Sequence, residues 1–360
     1  MQKQFCLKDF VNPTEFLVQL RNTSTSNDVD VLLAQLPIAS DVDYDSGSIG
    51  SIWRPGMLHW VPVGLERGNA GRIKLANNPI NPLAERLING MEAIIELYRQ
   101  RELAANPGSL PPSSPRDATL RYFDLPSLDT LPRSLKSIRG QKPKEYARQL
   151  ARALRLRLLW HKGARRFAVL VEDDGIGQPP ERMHETLLSL GATTKADKPY
   201  LIGVFGQGGS STYAASESSW VISRRAPDLL GGSSGGVGWT VIRHIFPKGR
   251  RDDYFAYLAA SPEGHVPSID EATANKVGIK HGTSFAHLNY DFGRGGSAIS
   301  RNLYQALNHV IFNPILPYEL YALKETADPM YGTAYRLANL TPEKVKLDKR
   351  FGAQLVSLSN

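Results

Sequence analysis

The sequence predicts an α/β fold, a two-layer sandwich in which helices cover one side of a sheet. Three features carry that expectation: an amphipathic pattern from Leu83 to about Gln100, a series of short apolar runs parted by Gly-rich turns, and the order of helix, strands and last helix. Residues 1–54 mix an apolar patch at Phe16-Leu-Val with the polar run Asn22-Thr-Ser-Thr-Ser-Asn-Asp and a Gly/Ser stretch ending near Ser51, and read as an extension packed on the main domain of 55–325. Leu58 to Leu65 fits a strand, which its proline demotes to a sheet edge. Asn81-Pro82 then opens the helix, whose Leu83, Leu87, Ile88, Met91, Ile94, Ile95 and Leu97 fall mostly three and four residues apart.

From Arg101 to Ser134 the density of Pro, Ser and Gly predicts an irregular inserted loop. A helix is expected from Pro143 to Trp160, because Tyr146, Leu150, Leu154 and Leu158 recur every four residues while Arg148, Arg152 and Arg155 project from the opposite side. Loop and basic helix together form an insert at about 101–165. Phe167 to Glu172 is a buried strand, and Trp220 to Arg224, Trp239 to Phe246, Tyr254 to Ala259 and Thr283 to Tyr290 are further strands. Ser300 to Phe312 is a late helix, and 326–360 begins a further C-terminal segment.

Composition narrows the function classes. With 360 residues, 41% hydrophobic and 22% charged, the chain reads as globular rather than disordered. Its apolar runs are broken well before the roughly 18 residues of a membrane span, and Met1-Gln-Lys-Gln-Phe-Cys lacks a secretory signal's apolar core, so a cytoplasmic protein with no membrane partner is expected. The single cysteine, Cys6, excludes an internal disulfide and any multi-cysteine zinc site. The net charge of +8 is local: Arg133 to Arg166 holds twelve Lys and Arg against one acid, Glu145.

Four motifs carry chemistry. In Glu85-Arg-Leu-Ile-Asn89-Gly-Met-Glu92-Ala93, Glu85 and Asn89 share a helix face, as do Asn89 and Glu92. Hydrolysing a terminal phosphate needs a carboxylate to orient water and an oxygen donor to help hold Mg²⁺. Asp173-Asp-Gly175-Ile-Gly177 closes an apolar strand, where a carboxylate suits the amino group of adenine and the glycines let the backbone turn and approach closely. Gly203-Val-Phe-Gly206-Gln-Gly208-Gly209-Ser210-Ser211 offers amides uncovered at glycines ahead of a short helix through Ala215, the chemistry of a phosphate cradle. There is no Walker-type Gly-Lys-Ser/Thr, so this is not a P-loop. Last, His281-Gly282-Thr283 opens a strand. His281 and His287 share one face of it without an apparent third ligand.

In this order the motifs resemble the ATP-binding domain shared by DNA gyrase, the heat-shock chaperones, histidine kinases and MutL, the GHKL or Bergerat family, over roughly residues 55 to 325. The stretch from Leu187 to Ala215 looks most like the chaperone and microrchidia branches. The resemblance implies a mixed, largely antiparallel sheet with helices on one face. It also implies ATP and Mg as ligands, slow ATP hydrolysis and pairing into a homodimer when ATP is bound. It makes Glu85 the water-activating residue and Asn89 the magnesium ligand, and Glu92 and Ala93 the acidic and small positions that follow in the nucleotide site, where the small side chain leaves room near the base and ribose. Asp173 becomes the adenine selector, with Gly175, Gly177 and Thr283 beside the base. Thr193, Thr194 and Lys195, in Gly191-Ala-Thr-Thr-Lys, fall in the family's lid, and Gly203, Gly206, Gly208, Gly209, Ser210 and Ser211 in its phosphate loop. Ser210 departs from the Lys, Leu or aromatic residue common there. Relatives often receive a lysine from a second domain; Lys324, Lys344, Lys346 and Lys349 are candidates. Two alternatives stay open: a non-hydrolysing ATP-sensing module, and a histidine-kinase-like phosphotransferase, although no phospho-acceptor His motif is present. Arg148, Arg152 and Arg155 suggest either nucleic acid or an acidic protein as partner.

Overall fold

A computed structural model describes residues 5–39, 53–133, 137–191, 197–202, 208–246, 253–293 and 299–340. The helices are α1 (Pro13–Asn22), α2 (Ser26–Leu33), α3 (Ile80–Ala105), α4 (Pro115–Phe123), α5 (Pro143–Ala151), α6 (Met183–Thr186), α7 (Ser211–Ala214), α8 (Glu271–Val277), α9 (Ile299–Val310) and α10 (Gly332–Ala338). The strands are β1 (His59–Pro62), β2 (Leu154–His161), β3 (Arg166–Asp173), β4 (Ser218–Arg224), β5 (Val237–Ile245), β6 (Tyr254–Ala259), β7 (Ser268–Ile269), β8 (Gly282–Tyr290), β9 (Tyr318–Ala322) and β10 (Asp328–Met330). They form one mixed sheet in the order β1-β6-β5-β4-β8-β3-β2-β9-β10, with β7 added to β5. Only β2 and β9 run parallel among these pairings; the rest are antiparallel. The expected α/β architecture is present, and β1, with its proline, is an edge strand.

Alternation along each strand sorts the core into two faces. Val169 and Val171 of β3, with Leu154, Leu156 and Leu158 of β2, pack beneath Leu83, Leu87, Met91 and Ile95 of α3 and Leu303 and Leu307 of α9. Ala168 and Leu170 point the other way, joining Trp220, Ile222, Trp239, Ala286 and Leu288. That reverse face is also covered by helices: Phe16, Leu17 and Leu20 of α1, Val29, Leu32 and Leu33 of α2 and Ala274 of α8 bury against it. The polar run at 22–28 is the joint between α1 and α2. Thr25 caps α2 by accepting from the Asp28 N–H at 3.2 Å, and Asp28 accepts in return from the Thr25 N–H at 2.8 Å, a capping box.

Two expectations of local structure are corrected. The helix expected from Pro143 to Trp160 ends at Ala151, and Leu154–His161 is an interior strand of the sheet, between β3 and β9. Recurrence every four residues fits both periods, but burial of Leu156 with Leu154 and Leu158 fits only period two. The basic face therefore dissolves: Arg148 stays on α5, while Arg155 lies on β2, its guanidinium bonded to both carboxylate oxygens of Asp174 at 2.8 and 3.1 Å. Residues 101–133 are not one irregular loop, because α3 runs on to Ala105 and Ser114-Pro115 caps and starts α4. The step 325/326 lies between the paired strands β9 and β10, and Met330 and Tyr331 are buried in the α3-side core. Among the described residues no helix is long and apolar enough to cross a membrane.

Candidate functional site

A cavity of about 270 Å³ opens between α3 and the ends of β3 and β8, and residues from all four motifs line it. One wall is the α3 stripe Arg86, Asn89, Gly90 and Ala93, which helical geometry places on one side. Facing it are Asp173 at the end of β3, Gly177 in the turn after it, Thr283 of β8, and Gly209 and Ser210 ahead of α7.

Asp173 ends β3 in register with Thr283. Its Oδ1 accepts a hydrogen bond from the Gly175 N–H at 2.9 Å. Burial raises its pKa to about 7, helped by the neighbouring Asp174 and opposed by the Gly175 and Thr283 amides and the Arg155 guanidinium. It is thus an acceptor whose charge is costly until a donor arrives. The turn beyond it is forced by contact on both sides. A Cβ on Gly175 would sit 2.6 Å from the Ala93 Cβ, and the Ile176 N–H donates to the Ala93 carbonyl at 3.0 Å. Gly177 has φ +63, and a Cβ there would lie 1.8 Å from the Arg224 carbonyl oxygen. Ala93 is small because the turn rests on the helix at this point.

Thr283 is buried and its Oγ1 shares a 2.9 Å hydrogen bond with Ser223 Oγ, which in turn accepts from the Gln178 N–H at 2.8 Å. Both histidines of that region are engaged singly: His281 Nδ1 bonds the Gly175 carbonyl at 2.7 Å, and His287 Nδ1 bonds Ser219 Oγ at 2.9 Å. Burial, with Arg86 nearby, drives the His287 pKa well down and keeps it neutral. No cluster of three His, Cys, Asp or Glu suited to a metal occurs among the described residues.

Glu92, only 3% exposed, accepts from the Ile202 N–H at 2.6 Å. One turn on, Glu96 receives Lys198 Nζ at 2.7 Å and the Tyr200 hydroxyl at 2.9 Å. These two carboxylates fix residues 198–202 against α3, so Glu92 acts here as an anchor for the chain beside the cavity. Glu96 and Lys198 were not singled out by sequence reasoning, although Glu96 continues the Glu85, Asn89, Glu92 stripe.

Glu85 is exposed and does not line the cavity, although its neighbour Arg86 does. Gly208 opens the 3₁₀ turn Gly208–Ser210, and Ser211 starts α7 without lining the cavity. Thr193, Thr194, Lys195, Gly203 and Gly206 lie outside the described residues, as do Lys344, Lys346 and Lys349. Lys324 pairs with Asp328 at 2.8 Å. The missed residue of most interest is Arg86, 7% exposed, whose Nε and Nη2 donate to Thr212 Oγ1 at 3.3 and 3.1 Å beneath the cavity. A charged residue in line with Gly90 and Ala93, on the small-residue side of the helix, was the available signal. No protein-family model matches the chain, and a search of curated proteins finds no match.

Proposed function

We propose that the chain binds ATP and hydrolyses it with magnesium, in the manner of the GHKL family it resembles, and uses the nucleotide as a switch that pairs it with a second copy. One observation carries the reading: a half-buried carboxylate, an asparagine and two glycine turns, separated by up to 120 residues of chain between Asn89 and Gly209, line a single cavity. Asp173 accepts the adenine amino hydrogen, which a guanine, with an oxygen at that place, cannot supply. Gly175, Gly177 and Thr283 set the distance of the base from the strand ends, and the turn at Gly209 and Ser210 faces the phosphates.

The side chains fit a magnesium ion that arrives with the nucleotide, because Asn89 lines the cavity with an amide that carries one neutral oxygen and such ions take most of their ligands from phosphate and water. When bound, the ion neutralises charge on the phosphates. Glu85, one turn from Asn89, orients and deprotonates the attacking water. Its place off the cavity wall also favours a second reading, an ATP sensor that never hydrolyses. Sedimentation and phosphate release on wild type and Glu85→Ala separate the two. The hydrolase predicts nucleotide-dependent pairing of both proteins and phosphate release by wild type alone. Equal, near-zero release from two proteins that bind ATP makes it a sensor.

A further inference from the structure

Arg86 is a buried cation that forms no ion pair with a carboxylate among the described residues. Its guanidinium lies 4.0 Å from the ring centre of Phe285 and 5.0 Å from that of Tyr213, and its Nε and Nη2 donate to the neutral Thr212 hydroxyl. Thr212 in turn donates to the Gly209 carbonyl at 2.6 Å, so the side chain is held in one pose. The partners that hold it among the described residues are thus a hydroxyl and two aromatic rings rather than a carboxylate, and the adjacent His287 is neutral. Ring faces and one hydroxyl offset only part of the cost of taking a guanidinium out of water. Its remaining nitrogen, Nη1, is on the cavity side: a Cβ added to Gly209 would meet Nη1 at 3.2 Å and Asn89 Nδ2 at 3.4 Å.

The position along α3 says what completes the pair. Asp173 and Gly175 meet the helix at Ala93, whereas Arg86 lies seven residues earlier, about 10 Å along the axis. A ligand lying along the helix with its base at Asp173 brings its anionic tail to Arg86 and the Gly209 turn. We propose that Arg86 is the cavity's own phosphate contact, a fixed guanidinium that selects nucleotides by their phosphates. This rests on the nucleotide reading for the base but not for the anion.

The test is calorimetric titration of the full chain with adenosine, ADP, ATP and tripolyphosphate, using wild type, Arg86→Gln and Arg86→Lys. A lost charge-assisted contact is worth about tenfold to a hundredfold. Arg86→Gln is expected to weaken ATP and ADP by that factor, abolish tripolyphosphate binding and change adenosine less than about twofold, with partial recovery in Arg86→Lys. Equal weakening of adenosine and ATP, or no weakening of either, overturns the proposal. Should Arg86→Gln fail to fold, Thr212→Val removes the hydroxyl that holds the guanidinium. It is expected to weaken ATP several-fold more than adenosine, and an equal change overturns the proposal. If wild type takes tripolyphosphate through Arg86 but no adenosine compound, the nucleotide reading fails and the anion site stands. If wild type takes neither, both fail.

Discussion

Asn in place of Asp173 makes the protein's stability less dependent on pH, and the sign follows from where the carboxyl sits. Its folded pKa of about 7 stands above the ordinary 3.8, so the folded state holds a proton that the unfolded chain has released across that range. The stability tied to this proton is fully present below about pH 4 and is lost as pH rises through about 7. The full effect is about 4 kcal/mol, of which about 2.5 kcal/mol falls between pH 5 and pH 8; partial exposure of the group makes both figures upper bounds. Asp173→Asn removes the titration while keeping an oxygen for the Gly175 N–H, so any constant loss cancels when two pH values are compared. Urea unfolding of both proteins at about pH 5 and about pH 8 measures the difference directly. The variant is expected to gain on wild type as pH rises. Parallel pH profiles would show that the carboxyl is not held in a desolvated site, and the account of the cavity's acceptor would be wrong.

Two other substitutions probe how the cavity is built. Gly177→Ala places a methyl in the Arg224 carbonyl at a left-handed φ, and is expected to cost several kcal/mol, at least about 3, seen as a lowered midpoint or loss of folded protein; a change under about 1 kcal/mol contradicts the contact. Glu92→Ala leaves the Ile202 N–H without its carboxylate and is expected to cost about 1.5 to 3 kcal/mol. Amide exchange should then quicken across 198–202 more than along β3, and unchanged protection there would refute the anchoring role.

The helix carrying Glu85, Asn89 and Glu92 was legible because its apolar spacing runs unbroken for five turns, and the strand before Asp173 because its run is short, apolar and closed by glycines. The demand on Gly177 was legible only as a type of residue; that Arg224 presses on it is a contact across 47 positions of chain. Leu150, Leu154 and Leu158 misled because a step of four belongs to both regular periods, and Leu156 was the residue that separated them. The Thr25 and Asp28 capping box read as a polar run because its partner helices are short and their apolar faces bury on a sheet formed far downstream. Glu96 with Lys198, and Arg86 with Thr212, join residues about a hundred or more apart, which no local pattern encodes.

The central claim is that the acceptor at the end of β3 reads a purine's amino group while the rest of the cavity holds its phosphates. Titrating ATP and GTP into the wild-type chain with magnesium tests it most directly. The account predicts that ATP binds and that GTP is weaker by at least about a hundredfold, because guanine sets an oxygen against the carboxylate. Equal binding of the two nucleotides, or binding of neither, contradicts it.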